Sequence, residues 1–269
     1  MYSIHYPCHS FDQTLDVLST TKTNSVKTSS LPLADFWHPQ RNNHLKGSFI
    51  EKFGLDVLNE QKTDYCFEYP TPAYKDRKSG ETLAYSKSSM TDLMILFKEG
   101  FRITIEAKYT EYVKDEVYKP VLDEWLENKP HKKEIAQCWL DYISSNGYGT
   151  IMSLDELLNV SPKFPYQFLH RTASACFNCS NPILVYQLFF DKKDLDKMKA
   201  FELQLQECAR LLRLKRDKLP FFIVECEVTS CPKPIKGNAS IVFTKMKMHE
   251  QYTFGDSVRV LNGYTLAVL

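Results

Sequence analysis

The stretch from residue 88 to 112, SSMTDLMILFKEGFRITIEAKYTEY, is the part of the chain from which the fold can be read. Two alternating apolar runs flank Lys98-Glu99-Gly100. A three-residue loop with Gly last is the pattern of a type I turn plus bulge, in which Gly takes the left-handed conformation. With the turn centred on Glu99, Phe97 meets Phe101, Ile95 meets Ile103 and Leu93 meets Ile105. These pairs share one face of a β-hairpin and make a buried apolar surface. On the other face Leu96 stands opposite Arg102, Met94 opposite Thr104, and Asp92 opposite Glu106.

Facing carboxylates repel and destabilise a sheet. A divalent cation between them reverses the sign, because hard cations want clustered oxygen ligands. Lys108 lies two residues past Glu106 and therefore on the same face. An ammonium beside a metal-bridging acid pair suits phosphodiester hydrolysis: the metal polarises the phosphate and activates a water, and the lysine steadies developing charge.

Asp92 followed by Glu106-Ala107-Lys108 on the next strand resembles the signature of the PD-(D/E)XK, restriction-endonuclease-like nucleases. Thr91 stands where the nominal motif has Pro. The resemblance implies an α/β fold with a core of helix, three strands, helix and strand, here over residues 42–190. Residues 1–41 would form an N-terminal arm. The helix at 131–146 would be an insertion, and 191–269 a helix-and-strand extension on the same sheet. It also implies a Mg²⁺ (or Mn²⁺) dependent nuclease acting on nucleic acid, DNA being the expected substrate. Asp92 and Glu106 would bind the metal, with the Ala107 carbonyl and with Glu51 from the first core helix. Lys108 would position the water. Gln167 or Arg171, from the second core helix, would contact the scissile phosphate or orient the lysine. Gln137 is the runner-up for that place. A homodimer stays open. A reading of another class stands beside this one: a binding or structural protein that keeps the fold without turnover. The missing Pro and the near-neutral charge favour it, and a divalent-metal titration separates the two.

The 269 residues suffice for one large or two small domains. Hydrophobic content of 43% and charged content of 25% fit a soluble globular protein. With a net charge of +1, any nucleic-acid contact must rest on a local patch. No apolar run approaches the roughly 20 residues that span a bilayer, so no membrane partner is expected. MYSIHYPCHSFDQ lacks the pattern of a signal peptide. The eight scattered cysteines fit reduced thiols and a cytoplasmic location.

Along the chain, residues 1–30 are polar and rich in Ser and Thr, which suggests a loosely held extension. Leu45, Phe49, Phe53 and Val57 predict a helix over 42–59, and DYCFEY at 64–69 a strand. The following excursion carries Tyr74, Lys75, Arg77, Lys78, Tyr85 and Lys87, a mixture able to grip a phosphate backbone or simply to be solvated. Pro120 and Pro130 interrupt a charged, irregular stretch. Helices follow over 134–145, in MSLDELLNVSP, and over 165–177, where Gln167, Arg171 and Ser174 share a side. The continuous apolar run at 183–190 predicts a strand buried on both faces. Asp191 can cap the next long helix, whose basic end at Arg210, Arg213, Lys215, Arg216 and Lys218 suits its dipole. LPFFIVECEV is a further strand. The tail has β character in IVFTKM and GYTLAVL, with Gly and Asp turns between.

Other chemistries find little support. Cys176 and Cys179 form a CxxC that Cys226, Cys231 and His170 could complete as a zinc site, but a second CxxC is missing. There is no GxSxG elbow, no Gly-rich phosphate loop and no HExxH.

Overall fold

A computed structural model describes residues 7–19, 28–38, 41–51, 63–71, 89–97, 100–112, 120–127, 130–150, 152–232 and 252–264. The hairpin forms in the expected register. Strands β2 (Ser89–Phe97) and β3 (Phe101–Lys108) pair Leu93 with Ile105, Met94 with Thr104, Ile95 with Ile103 and Leu96 with Arg102. Gly100 takes φ +85° and donates its N–H to the Phe97 carbonyl at 3.0 Å, the conformation that glycine adopts without steric cost.

The sheet grows outward from this hairpin. Strand β1 (Thr63–Thr71) adds antiparallel to β2. Strand β4 (Asn181–Phe190) runs parallel to β3, and β5 (Phe221–Ser230) parallel to β4. Two short strands, β6 (Thr253–Phe254) and β7 (Arg259–Asn262), pair antiparallel with β5. The described sheet is therefore open and mixed, and helices flank it. The residues after 190 join the same sheet. β6 and β7 fall between the two tail segments expected to be extended. Of those, 241–246 and 265–269 lie outside the described residues, and Gly263 and Tyr264 form a turn.

The helices are α1 (Phe11–Ser19), α2 (Ser30–Phe36), α3 (Asn43–Glu51), α4 (Leu122–Leu126), α5 (Pro130–Ser145), α6 (Leu154–Val160), α7 (Tyr166–Cys176) and α8 (Leu195–Leu211). Pro130 opens α5, where a missing N–H costs nothing. Ser153 and Glu156 make a reciprocal capping box on α6. Asp191 stands ahead of the short 3₁₀ turn Lys192–Asp194 that leads into α8, yet its carboxylate makes no cap bond and accepts the Tyr109 hydroxyl at 2.7 Å. α3 covers the first part of the predicted 42–59 helix. Residues 52–62, with Phe53 and Val57, lie outside the described residues, as do Tyr74, Lys75, Arg77, Lys78, Tyr85 and Lys87.

Strand β4 explains why the sheet has two cores. Leu184, Tyr186, Leu188 and Phe190 point to one face and pack with Trp139, Phe168, Phe201 and Leu205 of α5, α7 and α8. Ile183, Val185 and Phe189 point to the other and pack with Leu93, Ile95, Ile103 and Ile105. That second face is covered by Leu15, Leu18, Leu31 and Phe36 of α1 and α2. Here the structure corrects the expected arm: Leu15 and Leu31 are fully buried. The reason is spacing. The stretch is polar on average, but its few large apolar residues recur at helical intervals and make a stripe that the sheet face accepts. Among the described residues no helix is long and apolar enough to cross a membrane.

Candidate functional site

The face of β3 that meets α7 carries Arg102, Thr104, Glu106 and Lys108 in alternation, as the period of a strand requires. Arg102 donates to the carbonyls of Ala175, at 2.7 Å, and Phe177, and so satisfies the open C-terminal end of α7. Thr104 donates to the Met94 sulfur at 3.2 Å. Glu106 is 1% exposed and holds two cations at once. The Lys108 ammonium bonds its Oε1, and the Arg171 guanidinium of α7 bonds its Oε2. Lys108 and Arg171 are themselves buried.

Asp92 sits one step beyond the last ladder pair of the hairpin. Its Oδ2 accepts the Ala107 N–H at 2.8 Å, taking the place that a strand carbonyl would have. Across β1 the count of the register brings Glu68 opposite Asp92. The ladder skips Glu68, passing from Phe67–Leu93 to Tyr69–Thr91, because Glu68 adopts φ +49°. Three carboxylates from three adjacent strands thus converge with two cations on one face.

Burial drives the electrostatics. It lifts the Asp92 carboxyl, and the neighbouring charge of Glu106 lifts it further; Lys108 and Arg171 oppose this only in part, so its pKa rises to about 8. Burial also raises Glu68, against the pull of Arg171. For Glu106 burial pushes the same way, but Arg171 and Lys108 together outweigh it and hold this carboxyl below the usual range. Arg171 is desolvated, and the charges of Glu106 and Asp92 nonetheless bind its proton more tightly than in water. The centre therefore contains one ionised acid clamped between two cations and a second acid that keeps its proton at neutral pH.

The structure sorts the expected site residues. Asp92, Glu106, Ala107, Lys108 and Arg171 come together. Gln167 is half-buried one helical turn before Arg171 on α7. Gln137 is committed elsewhere: it donates to Asp141 at 2.9 Å and accepts the Leu154 N–H at 2.9 Å, which fastens α5 to the start of α6. Glu51 is exposed at the end of α3, and the charges acting on Asp92 come instead from Glu106, Lys108, Arg171 and Glu68. Glu68 is thus the third acid in place of Glu51. Glu68 and the anchoring Arg102 are the residues that sequence reasoning missed. The cysteines considered for zinc are divided by the sheet, Cys176 in the core on the α7 face and Cys226 in the core on the opposite face. His170 packs against Trp139 at 4.6 Å, and burial lowers its pKa to about 3.

The donor chemistry of three carboxylates suits a hard divalent cation, but the arrangement does not. Both Glu106 oxygens are engaged by cations, and Asp92 spends an oxygen on a backbone N–H. Among the described residues no group of three or more His, Cys, Asp or Glu side chains is placed to hold a metal.

Fold and site together define an α/β protein with a mixed open sheet and a buried acid–base centre between β3 and α7. The chain belongs to the DUF6946 family, a domain of unknown function, whose description matches residues 7–227. That match starts ahead of α1 and ends within β5, so the two N-terminal helices are part of the family domain and β6 and β7 lie beyond it. No curated protein and no solved structure matches the chain.

Proposed function

We propose that this chain is a non-catalytic binding or structural protein built on a nuclease-like strand arrangement. The observation that supports the reading is the state of Glu106, whose two oxygens are taken by Lys108 and Arg171. An acid neutralised from both sides offers a metal nothing until one cation leaves. In this reading the centre joins α7 to β3 and fixes their mutual position, a role in specificity that buried ionic groups serve in some proteins.

The test is calorimetric titration with Mg²⁺ and Mn²⁺, run beside cleavage assays on single- and double-stranded DNA and RNA. The expected outcome is no saturable binding in the millimolar range and no cleavage. Metal binding in that range, with cleavage abolished in Glu106→Ala, reverses the assignment.

A metal-dependent nuclease is the second reading. The convergence of Glu68, Asp92 and Glu106 favours it, together with the proton on Asp92, which marks a place where added positive charge is welcome. It requires Arg171 to release Glu106, so it predicts an Arg171 contact that breaks when metal and nucleic acid are present together.

A further inference from the structure

The basic run after α8 is more than a helix terminus. Arg210 alone lies in the last turn of α8, and it is paired with Glu207, its Nε 2.6 Å from a carboxylate oxygen. Arg213, Lys215, Arg216 and Lys218 lie past the helix end, all exposed. The dipole's effect fades within one turn, so it can account for Arg213, next to the C-cap Leu212, but not for the cations that follow it to Lys218. Within these six residues the single acid is Asp217, and none of the four cations forms an ion pair among the described residues.

The segment is held rigidly in spite of its exposure. Arg213 closes the helix in the left-handed conformation at φ +46°. Leu214 and Leu219 are buried and act as anchors on either side of Lys215, Arg216 and Lys218. The Lys215 N–H donates to the Tyr148 carbonyl at 2.8 Å, and those of Lys218 and Leu219 donate to the Lys215 carbonyl at 3.0 and 2.8 Å. Gly149 packs so closely that a Cβ there would meet the Leu212 carbonyl at 2.8 Å. Four charges are thus displayed on a backbone already ordered, which lowers the entropy cost of binding a partner.

The surroundings select the partner. The large apolar side chains exposed among the described residues are Val160 and Leu195. Leu195 begins α8, about 24 Å from the turn at 1.5 Å per residue. A protein interface would need an apolar centre beside the charges, and a membrane-seated turn would need apolar side chains to insert. Tyr264, whose hydroxyl feels the charge of Arg216, is partly buried and bonded to the Leu219 carbonyl, so its ring is held against the fold and not offered to a base. What remains is attraction for regularly spaced phosphates.

We propose that the Arg213–Lys218 turn is a binding surface for the phosphate backbone of nucleic acid, without base selection. It lies at the end of the sheet where β5 begins, whereas Lys108 closes β3 at the other end. The proposal is independent of whether the acid–base centre is catalytic.

The experiment is fluorescence anisotropy with a labelled duplex DNA of random sequence, in EDTA, at a series of salt concentrations. EDTA removes metal binding and cleavage from the measurement. The parent should bind with a dissociation constant on the order of 10⁻⁶ to 10⁻⁴ M, and its affinity should fall with salt at a log–log slope of about −3 to −4, as four phosphate contacts require. The variant Lys215→Gln/Arg216→Gln/Lys218→Gln should keep the parent's melting temperature, weaken binding at least about tenfold and flatten the slope by about 2 to 3. Anionic phospholipid vesicles serve as the competing surface. Three outcomes overturn the proposal: no DNA binding by the parent at low salt, binding unchanged in the triple variant, or binding to vesicles in place of DNA.

Discussion

Two of the buried ionic networks among the described residues differ in how they reach water. In the first, Glu106 is flanked by Lys108 and Arg171, and all three are buried between β3 and α7. In the second, Glu202 of α8 and Glu225 of β5 share Lys199, while Arg259 approaches Glu225 at 3.5 Å. There the acids are buried but the cations are not, with Lys199 35% and Arg259 61% exposed at the side chain. The pKa directions follow. Glu106 lies below the carboxylate range because buried cations overcome its burial. Glu225 lies above it, because burial outweighs partly hydrated partners and Glu202 hydrogen-bonds to it. The first network has nowhere to put an unpaired charge. In the second, Glu225 can take up a proton.

Removing one cation from the first network should produce the largest effect. Arg171→Leu leaves Glu106 short of a partner in a dry place and should destabilise the fold by about 3–5 kcal/mol. Replacing the whole centre, with Glu106→Leu, Lys108→Met and Arg171→Leu together, should return stability to within about 1 kcal/mol of the parent, since an apolar trio removes the desolvation cost as well as the pairs. Urea unfolding of both variants checks this. If the triple variant is as unstable as the single one, the centre supplies more than mutual neutralisation.

Next in size is Asp92→Asn, which should stabilise the protein by on the order of 1–3 kcal/mol at pH 7 to 8. Asp92 has a raised pKa, so between about pH 4 and its folded value near 8 the native state binds a proton that the unfolded chain has lost. Its contribution is fully present at low pH and disappears as pH rises through that window. The amide keeps the neutral form and the acceptor for the Ala107 N–H. The measurement is stability against pH. Asp92→Asn should remove a decline between pH 4 and 8, whereas Glu106→Gln should remove a contribution of opposite sign, present at neutral pH and lost on acidification through the lowered Glu106 pKa.

The second network should respond weakly. Lys199→Met is expected to cost about 1 kcal/mol or less, because its ammonium is partly hydrated and Glu225 can take up a proton. Arg259→Ala should change stability by less than about 0.5 kcal/mol. Thermal melts of the two variants, compared with Arg171→Leu, give the ratio that separates a sealed network from an open one.

The same contrast explains what could be read in the sequence. The hairpin register was legible because a three-residue turn leaves one way to align two apolar runs, and that alignment brought Asp92 toward Glu106. Arg171 could be found because its helix runs directly into β4. Glu68 could not be found, because residues 72–88 separate β1 from β2 and a connection of that length imposes no register. Its positive φ has no signature in DYCFEY either. Arg102 was read only as a face partner of Leu96, since an arginine on a strand does not announce that the end of a distant helix will lie above it. The N-terminal helices were hidden by averaging, as Ser and Thr outnumber the leucines that bury them.

The Arg102 bridge has a consequence for how the chain closes on itself. The bond from Arg102 to Ala175 spans 73 residues of sequence, and that from Glu106 to Arg171 spans 65. The second loop is nested inside the first. Closing a loop of this size carries an entropy cost that grows only with the logarithm of its length, so whichever bond forms first bears nearly all of it. The other then joins short arms already held near each other. β3 and α7 are therefore expected to exchange their amide hydrogens as one block, opening together or not at all.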